Sequence, residues 1–105
     1  MRKTIATAVA VCALMIASAV PASAATSGWV NGDHYTYLGN CAVKSSNYSR
    51  WAWSEEPRSC DGYVGVRAKI ASGARVTYTG FKWGTRDASI SLPSGVRTLS
   101  HQSAH

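Results

Sequence analysis

Histidine, cysteine, serine and the carboxylates are the side chains through which this chain could do chemistry near neutral pH. Asp33 and His34 are adjacent and serine is abundant, so an Asp–His–Ser relay can be drawn on paper. The sequence has no Gly-x-Ser-x-Gly turn to present a serine, and adjacency along the chain is not the geometry a relay needs. Glu55 and Glu56 sit beside Pro57. Consecutive residues of an extended loop point apart, unlike two carboxylates closing on one bond. His101 and His105 have the four-residue spacing of helical metal ligands, yet they stand in a terminal stretch expected to fray. No glycine-rich phosphate cradle is present. No catalytic residue, metal or cofactor is expected, and the protein reads as one that binds.

The cysteines point to a compartment. Arg2 and Lys3 precede an apolar run over residues 5–20, and Ala22-Ser23-Ala24 has the small-x-small form of a cleavage site. This is the pattern of a secretory signal peptide over residues 1–24, too short and wrongly flanked for a membrane anchor. Removing it takes away Cys12 and leaves Cys41 and Cys60 in one domain over residues 25–105. Secretion exposes the pair to an oxidising milieu, and two thiols allow one pairing, so a Cys41–Cys60 disulfide is expected. Loop closure would then stabilise the fold by about 3 kcal/mol. The net charge falls from +6 to +4 when Arg2 and Lys3 go. That is enough for modest, salt-sensitive steering toward anionic wall polymers or lipid head groups, and it does not suggest nucleic acid.

The elements that must position these residues are strands. Beyond residue 25 no helical period is sustained, whereas alternation and β-branched or aromatic residues recur between Gly, Ser and Asn. Val64, Val66, Ala68 and Ile70 share one face of a strand; Arg67 and Lys69 take the other. The chain returns through Arg75 to Trp83, and a three-residue loop that sets Ile70 opposite Val76 keeps the apolar face whole. Arg75, Thr77 and Thr79 would then join the basic side. Phe81 and Trp83 fall out of phase with that return, which predicts a bulge at Gly80. One strand is expected over 34–43 and another over 48–54. A further hairpin is expected around Pro93-Ser94-Gly95. The sum is an all-β fold, a small antiparallel sandwich or barrel with one disulfide.

Between the two cysteines lies Asn47-Tyr48-Ser49-Arg50-Trp51-Ala52-Trp53, three large aromatics and an arginine in seven residues. Uninterrupted alternation puts Trp51 and Trp53 on one face and Tyr48, Arg50 and Ala52 on the other. On that reading Trp51 belongs to the core, Tyr48 and Arg50 face outward, and Trp53 can go either way. Tyr, Trp and Arg dominate binding hot spots. The expected binding residues are Tyr48, Arg50 and Trp53, aided by Arg67 and Lys69. Asn47-Tyr48-Ser49 also fits a glycosylation sequon.

Trp29-Val30-Asn31-Gly32, then Ser46-Asn47-Tyr48, then Gly65-Val66-Arg67-Ala68-Lys69 follow an order that resembles the lactococcin-972-like bacteriocins. The resemblance implies a small secreted β-rich protein acting on cell-wall synthesis of related Gram-positive cells. The spacings differ, Ser49, Arg50 and Trp51 stand where that family has histidines, and the cysteine pair is additional. Arg50-Trp51 with Tyr48, between Cys41 and Cys60, is also similar to the Trp-Arg-Tyr triplet of small proteinaceous α-amylase inhibitors. The triplet order is not the same, and the second disulfide of those inhibitors is absent. The expectation is a secreted, monomeric, non-catalytic protein without stable membrane insertion. Its partner would be a cell-wall component or a secreted protein.

Overall fold

The computed structural model describes residues 25–105; the expected leader over 1–24 lies outside them. Eight strands and no helix are found among the described residues: β1 (His34–Leu38), β2 (Cys41–Tyr48), β3 (Trp51–Glu55), β4 (Val64–Ser72), β5 (Arg75–Tyr78), β6 (Lys82–Gly84), β7 (Asp87–Ser91) and β8 (Val96–Ala104). They form two antiparallel sheets. One has the order β1-β2-β3-β7; in the other, β4 pairs with β5 and β6 in succession and with β8. Ala52 and Ala88 of the first sheet pack on Val66 and Ala68 of the second. Leu38, Cys41 and Val43 pack on Val64. The sheets therefore meet face to face over small and β-branched side chains, giving a molecule only 19 Å thick on its shortest axis. Cys41 and Cys60 are bonded, with Cα atoms 5.8 Å apart, and this ties the start of β2 to the loop that follows β3.

The alternation read over residues 64–68 holds, with Val64, Val66 and Ala68 fully buried and Arg67 on the outer side. The return strand differs from expectation. Ser72 faces Arg75 across a two-residue loop, so Ala71 is opposite Val76 and Lys69 opposite Tyr78. Gly73, at a φ of 61°, supplies the left-handed first position that such a tight loop favours. Directly opposed residues share a face, so Arg75 and Thr77 lie on the side of Ile70 and not with Lys69. A change of register is present near Gly80 as expected, but it turns Phe81 and Trp83 to the outer side, with Arg67 and Gly65, and not into the core where they were expected. Lys69 opposite Tyr78 would bring Val66 opposite Phe81, yet Val66 pairs with Lys82. One extra residue is taken up around Thr79–Gly80–Phe81, where the Thr79 hydroxyl accepts the Ala68 N–H at 2.9 Å.

Three expected elements are corrected. Residues 34–43 are two strands, because Gly39-Asn40 makes a two-residue turn that sets Leu38 opposite Cys41. Residues 48–54 are also interrupted. Ser49, at a φ of 53°, and Arg50 form the turn between β2 and β3. Third, β7 and β8 do not form a hairpin: β7 pairs with β3 and β8 with β4, so the chain changes sheets at Pro93–Gly95. The ends are not frayed. Residues 25–30 run beside β8, with Ala25 N–H donating to His105 C=O at 3.0 Å and His105 N–H donating back at 2.9 Å. Thr26 and Val30 bridge to Ala104 and His101.

Candidate binding surface

The Ser49-Arg50 turn decides what the first sheet shows to solvent. It resets the alternation, so Tyr48 pairs with Trp51 and Ser46 with Trp53. All four then lie on the outer side, while Ala52 and Ser54 are fully buried. Trp51, expected in the core, is 43 % exposed; Trp53 is 37 % exposed and Tyr48 73 %. Tyr35 and Tyr37 of β1 point the same way, opposite Lys44 and Ala42. Five aromatic rings thus open from one face of a four-stranded sheet. Tyr48 and Trp51 are stacked, with an interplanar angle of 10° and centroids 6.5 Å apart. The Arg50 guanidinium lies 5.3 Å above the Trp51 ring. The turn is pinned from behind, since Ser49 C=O accepts the Thr98 N–H at 2.7 Å and Arg50 C=O accepts the Leu92 N–H at 2.8 Å.

Beside these rings the face has relief. Asp33, His34, Tyr35, Lys44, Ser45 and Trp53 line a shallow depression of about 400 Å³. Tyr35 and Trp53 wall it, and Lys44 stands between them. Lys44 in turn faces Glu55 across β2 and β3. Rings, one cation and a carboxylate around a shallow depression suit a ligand with both apolar faces and polar edges.

The other expected binding residues lie elsewhere. Arg67 and Lys69 are on β4, on the outer side of the second sheet. Arg67 is not free: it sits 5.0 Å over Trp29 and 4.8 Å over Phe81, and its Nε–H donates to Gln102 Oε1 at 2.7 Å. Trp29 also meets Tyr78 edge-on. Tyr48, Arg50 and Trp53 are therefore brought together, and Arg67 and Lys69 are not part of their surface. Tyr35, Tyr37, Lys44 and Trp51 belong to that surface and were not expected there. The alternating Tyr35-Thr36-Tyr37 was the available signal for two of them.

Between the sheets runs a seam of polar contacts. His101 is fully buried, with Nδ1 2.7 Å from Asn47 Oδ1 and Nε2 2.7 Å from Ser45 Oγ. Asn47 Oδ1 also accepts the Gly32 N–H, while its Nδ2 donates to Asn31 Oδ1 and Thr98 Oγ1. That pattern assigns the proton to His101 Nδ1 and leaves Nε2 to accept from Ser45. The order Ser–His–Asn resembles a nucleophile relay. Ser45, however, is only 2 % exposed and its hydroxyl is committed to the seam. The set joins β2 to β8, as the 2.7 Å contact of Ser54 and Ser103 joins β3 to β8. Desolvation, aided by His34, pushes the His101 pKa down to about 4. Asp33 takes the Ser46 hydroxyl at 2.6 Å instead of orienting His34. Asn47 is buried with its amide engaged, so the folded chain offers no open sequon.

No family model, no curated protein and no solved structure matches the chain.

Proposed function

We propose that this is an exported, non-catalytic two-sheet sandwich protein that binds a carbohydrate polymer of the Gram-positive cell wall through the outer face of β1-β2-β3-β7. One observation carries the reading: Tyr35, Tyr37, Tyr48, Trp51 and Trp53 all open from that face. An exposed apolar patch of this kind on a small protein marks an interaction site. Sugar rings offer apolar faces to stack on such rings and hydroxyls for groups such as Lys44 and Glu55. Growth inhibition of related bacteria, in the manner of the lactococcin-972-like bacteriocins, is the sharpest form of this proposal. The positive charge adds attraction to anionic wall polymers.

The test is sedimentation of the purified protein with insoluble wall from a related Gram-positive species, followed by spotting on living lawns. Trp53→Ala and Trp51→Ala should each weaken wall binding by about tenfold or more, in line with hot-spot aromatics, with an unchanged thermal midpoint. Wall binding that survives both substitutions overturns the assignment of the face. Binding without clearing of lawns removes the bacteriocin form and keeps the binding protein.

A second reading has its own observation. The Ser49-Arg50 turn presents Tyr48, Arg50 and Trp51 at a tip held by Thr98 and Leu92. A preorganised tip loses little entropy on entering a cleft, which suits an inhibitor of a secreted hydrolase. Stoichiometric inhibition abolished by Arg50→Ala, with wall binding absent, would select it.

A further inference from the structure

Glu56 has a buried carboxylate in an unusual position. Its Oε1 lies 2.7 Å from His105 Nδ1 and 3.5 Å from Cys41 Sγ, while its Oε2 is buried with no hydrogen-bond partner. The side chain is fully buried and that of His105 is 21 % exposed. Cys41 Sγ, a Glu56 oxygen and a His105 nitrogen all lie within 4.8 Å of one another, and Cys60 Sγ is bonded to Cys41 Sγ. Each of these is a ligand type that zinc accepts. A buried carboxylate oxygen without a partner costs free energy, and a cation would supply what it lacks.

We propose that the reduced chain binds one zinc ion through Cys41, Cys60, Glu56 and His105, so that the protein holds either the disulfide or the metal. Reduction by a phosphine adds two electrons and two protons, gives two thiols and leaves the phosphine oxide, its oxygen coming from water. Zinc then displaces both thiol protons to the solvent and forms two Zn–S bonds, with Glu56 and His105 completing a tetrahedron. Ligand atoms around zinc stand about 3.3–3.8 Å apart, given bonds of about 2.0–2.3 Å. Cys41 Sγ and Glu56 Oε1 are already at 3.5 Å. The Glu56–His105 pair and the two sulfurs must each open to admit the ion. The partly exposed His105 ring gives the ion a way in. His105 is held for this task by its paired main-chain bonds to Ala25. The consequence is a competition in which zinc delays oxidation and oxidation expels zinc.

The experiment uses the purified protein, reduced with a water-soluble phosphine under argon and titrated with cobalt(II) as a coloured substitute for zinc. The expected result is one cobalt per chain with thiolate-to-cobalt charge-transfer absorption, bleached by added zinc. Glu56→Gln and His105→Ala should each weaken binding by about tenfold or more. Equal affinity in these variants would mean that two thiols alone hold the ion, and the proposal fails. Near-ultraviolet circular dichroism in the same cells guards against loss of fold: if reduction unfolds the chain, zinc must restore the signal, and no recovery at saturating zinc overturns the proposal. Cys60→Ala supplies an independent arm without reductant. Zinc should protect its Cys41 thiol from alkylation several-fold, and an unchanged rate counts against the site.

Discussion

Arg50 lies over Trp51 on one side of the molecule, and Arg67 lies between Trp29 and Phe81 on the other. The residue types are the same and the outcomes are opposite. On the second sheet, residues 25–30 run beside β8 and the segment 79–81 beside β4, and they bring Trp29 and Phe81 against Arg67. Arg67 becomes a clamp there, fixed by Gln102, and Trp83 lies flat on Gly65. On the first sheet, among the described residues, five rings stay open. What separates a covered aromatic from an open one here is whether a neighbouring segment of the chain lies against it. An arginine beside a tryptophan does not by itself mark a site.

Substitutions on the two faces should therefore differ in kind, and the seam behind both should be the most sensitive place. His101→Ala leaves Asn47 and Ser45 without their partner in a closed interior. It should cost about 3 kcal/mol or more, read by denaturant unfolding. A cost below about 1 kcal/mol would mean that the sheets cohere without the seam. Acid gives a gentler break. The unfolded chain takes up a proton on His101 near its ordinary value of 6.5, and the folded chain only near 4. The stability tied to the neutral imidazole is thus complete above about pH 6.5, shrinks as the pH falls toward 4, and is gone below that, a loss of about 3 kcal/mol. His101→Gln should flatten that part of a pH–stability curve.

On the covered face, Gly65→Ala puts a methyl carbon 2.8 Å from the Trp83 ring. The ring must lift, at about 1–2 kcal/mol. Arg67→Ala strips the packing between two rings and should cost about 1–2 kcal/mol, whereas Arg67→Lys recovers only part of it. The smallest effect on stability belongs to the open face. Tyr48→Ala and Trp53→Ala should shift stability by no more than about 0.5 kcal/mol, seen as near-coincident thermal melts. A large loss there would place those rings in the structural class and dissolve the contrast.

The inner face of the second sheet was legible in the sequence, whereas its covered outer face was not, since Arg67 was expected to be open and is clamped. Val64, Val66 and Ala68 alternate strictly with Gly65 and Arg67, and a strand buried on one side has no other way to lie. Phe81 and Trp83 marked the place of the register change but not its sense, because the slip turns both rings to the outer side with Arg67 and Gly65. The open face was not legible because one turn concealed it. Ser49 adopts a left-handed conformation that glycine or asparagine usually marks. Without that mark, Tyr48 through Trp53 reads as one strand and Trp51 falls inward. The seam was hidden for another reason. Ser45, Asn47, Ser54 and Ser103 look like solvated positions until partners about fifty residues away are known. His105 looked frayed because nothing local shows its pairing with Ala25.

The inner faces of the two sheets are lined by Ala52, Ala68, Ala88, Ser54 and Ser103 as much as by valine, and the large rings lie outside. Apart from Phe81, Leu38 and three valines, unfolding should therefore uncover small apolar side chains together with many polar groups. The first raises the heat capacity and the second lowers it. The heat-capacity increment of unfolding should be small for a chain of this length, and the free-energy curve against temperature correspondingly broad, which calorimetry would read directly. Such a protein changes little in stability between a cold environment and a warm one.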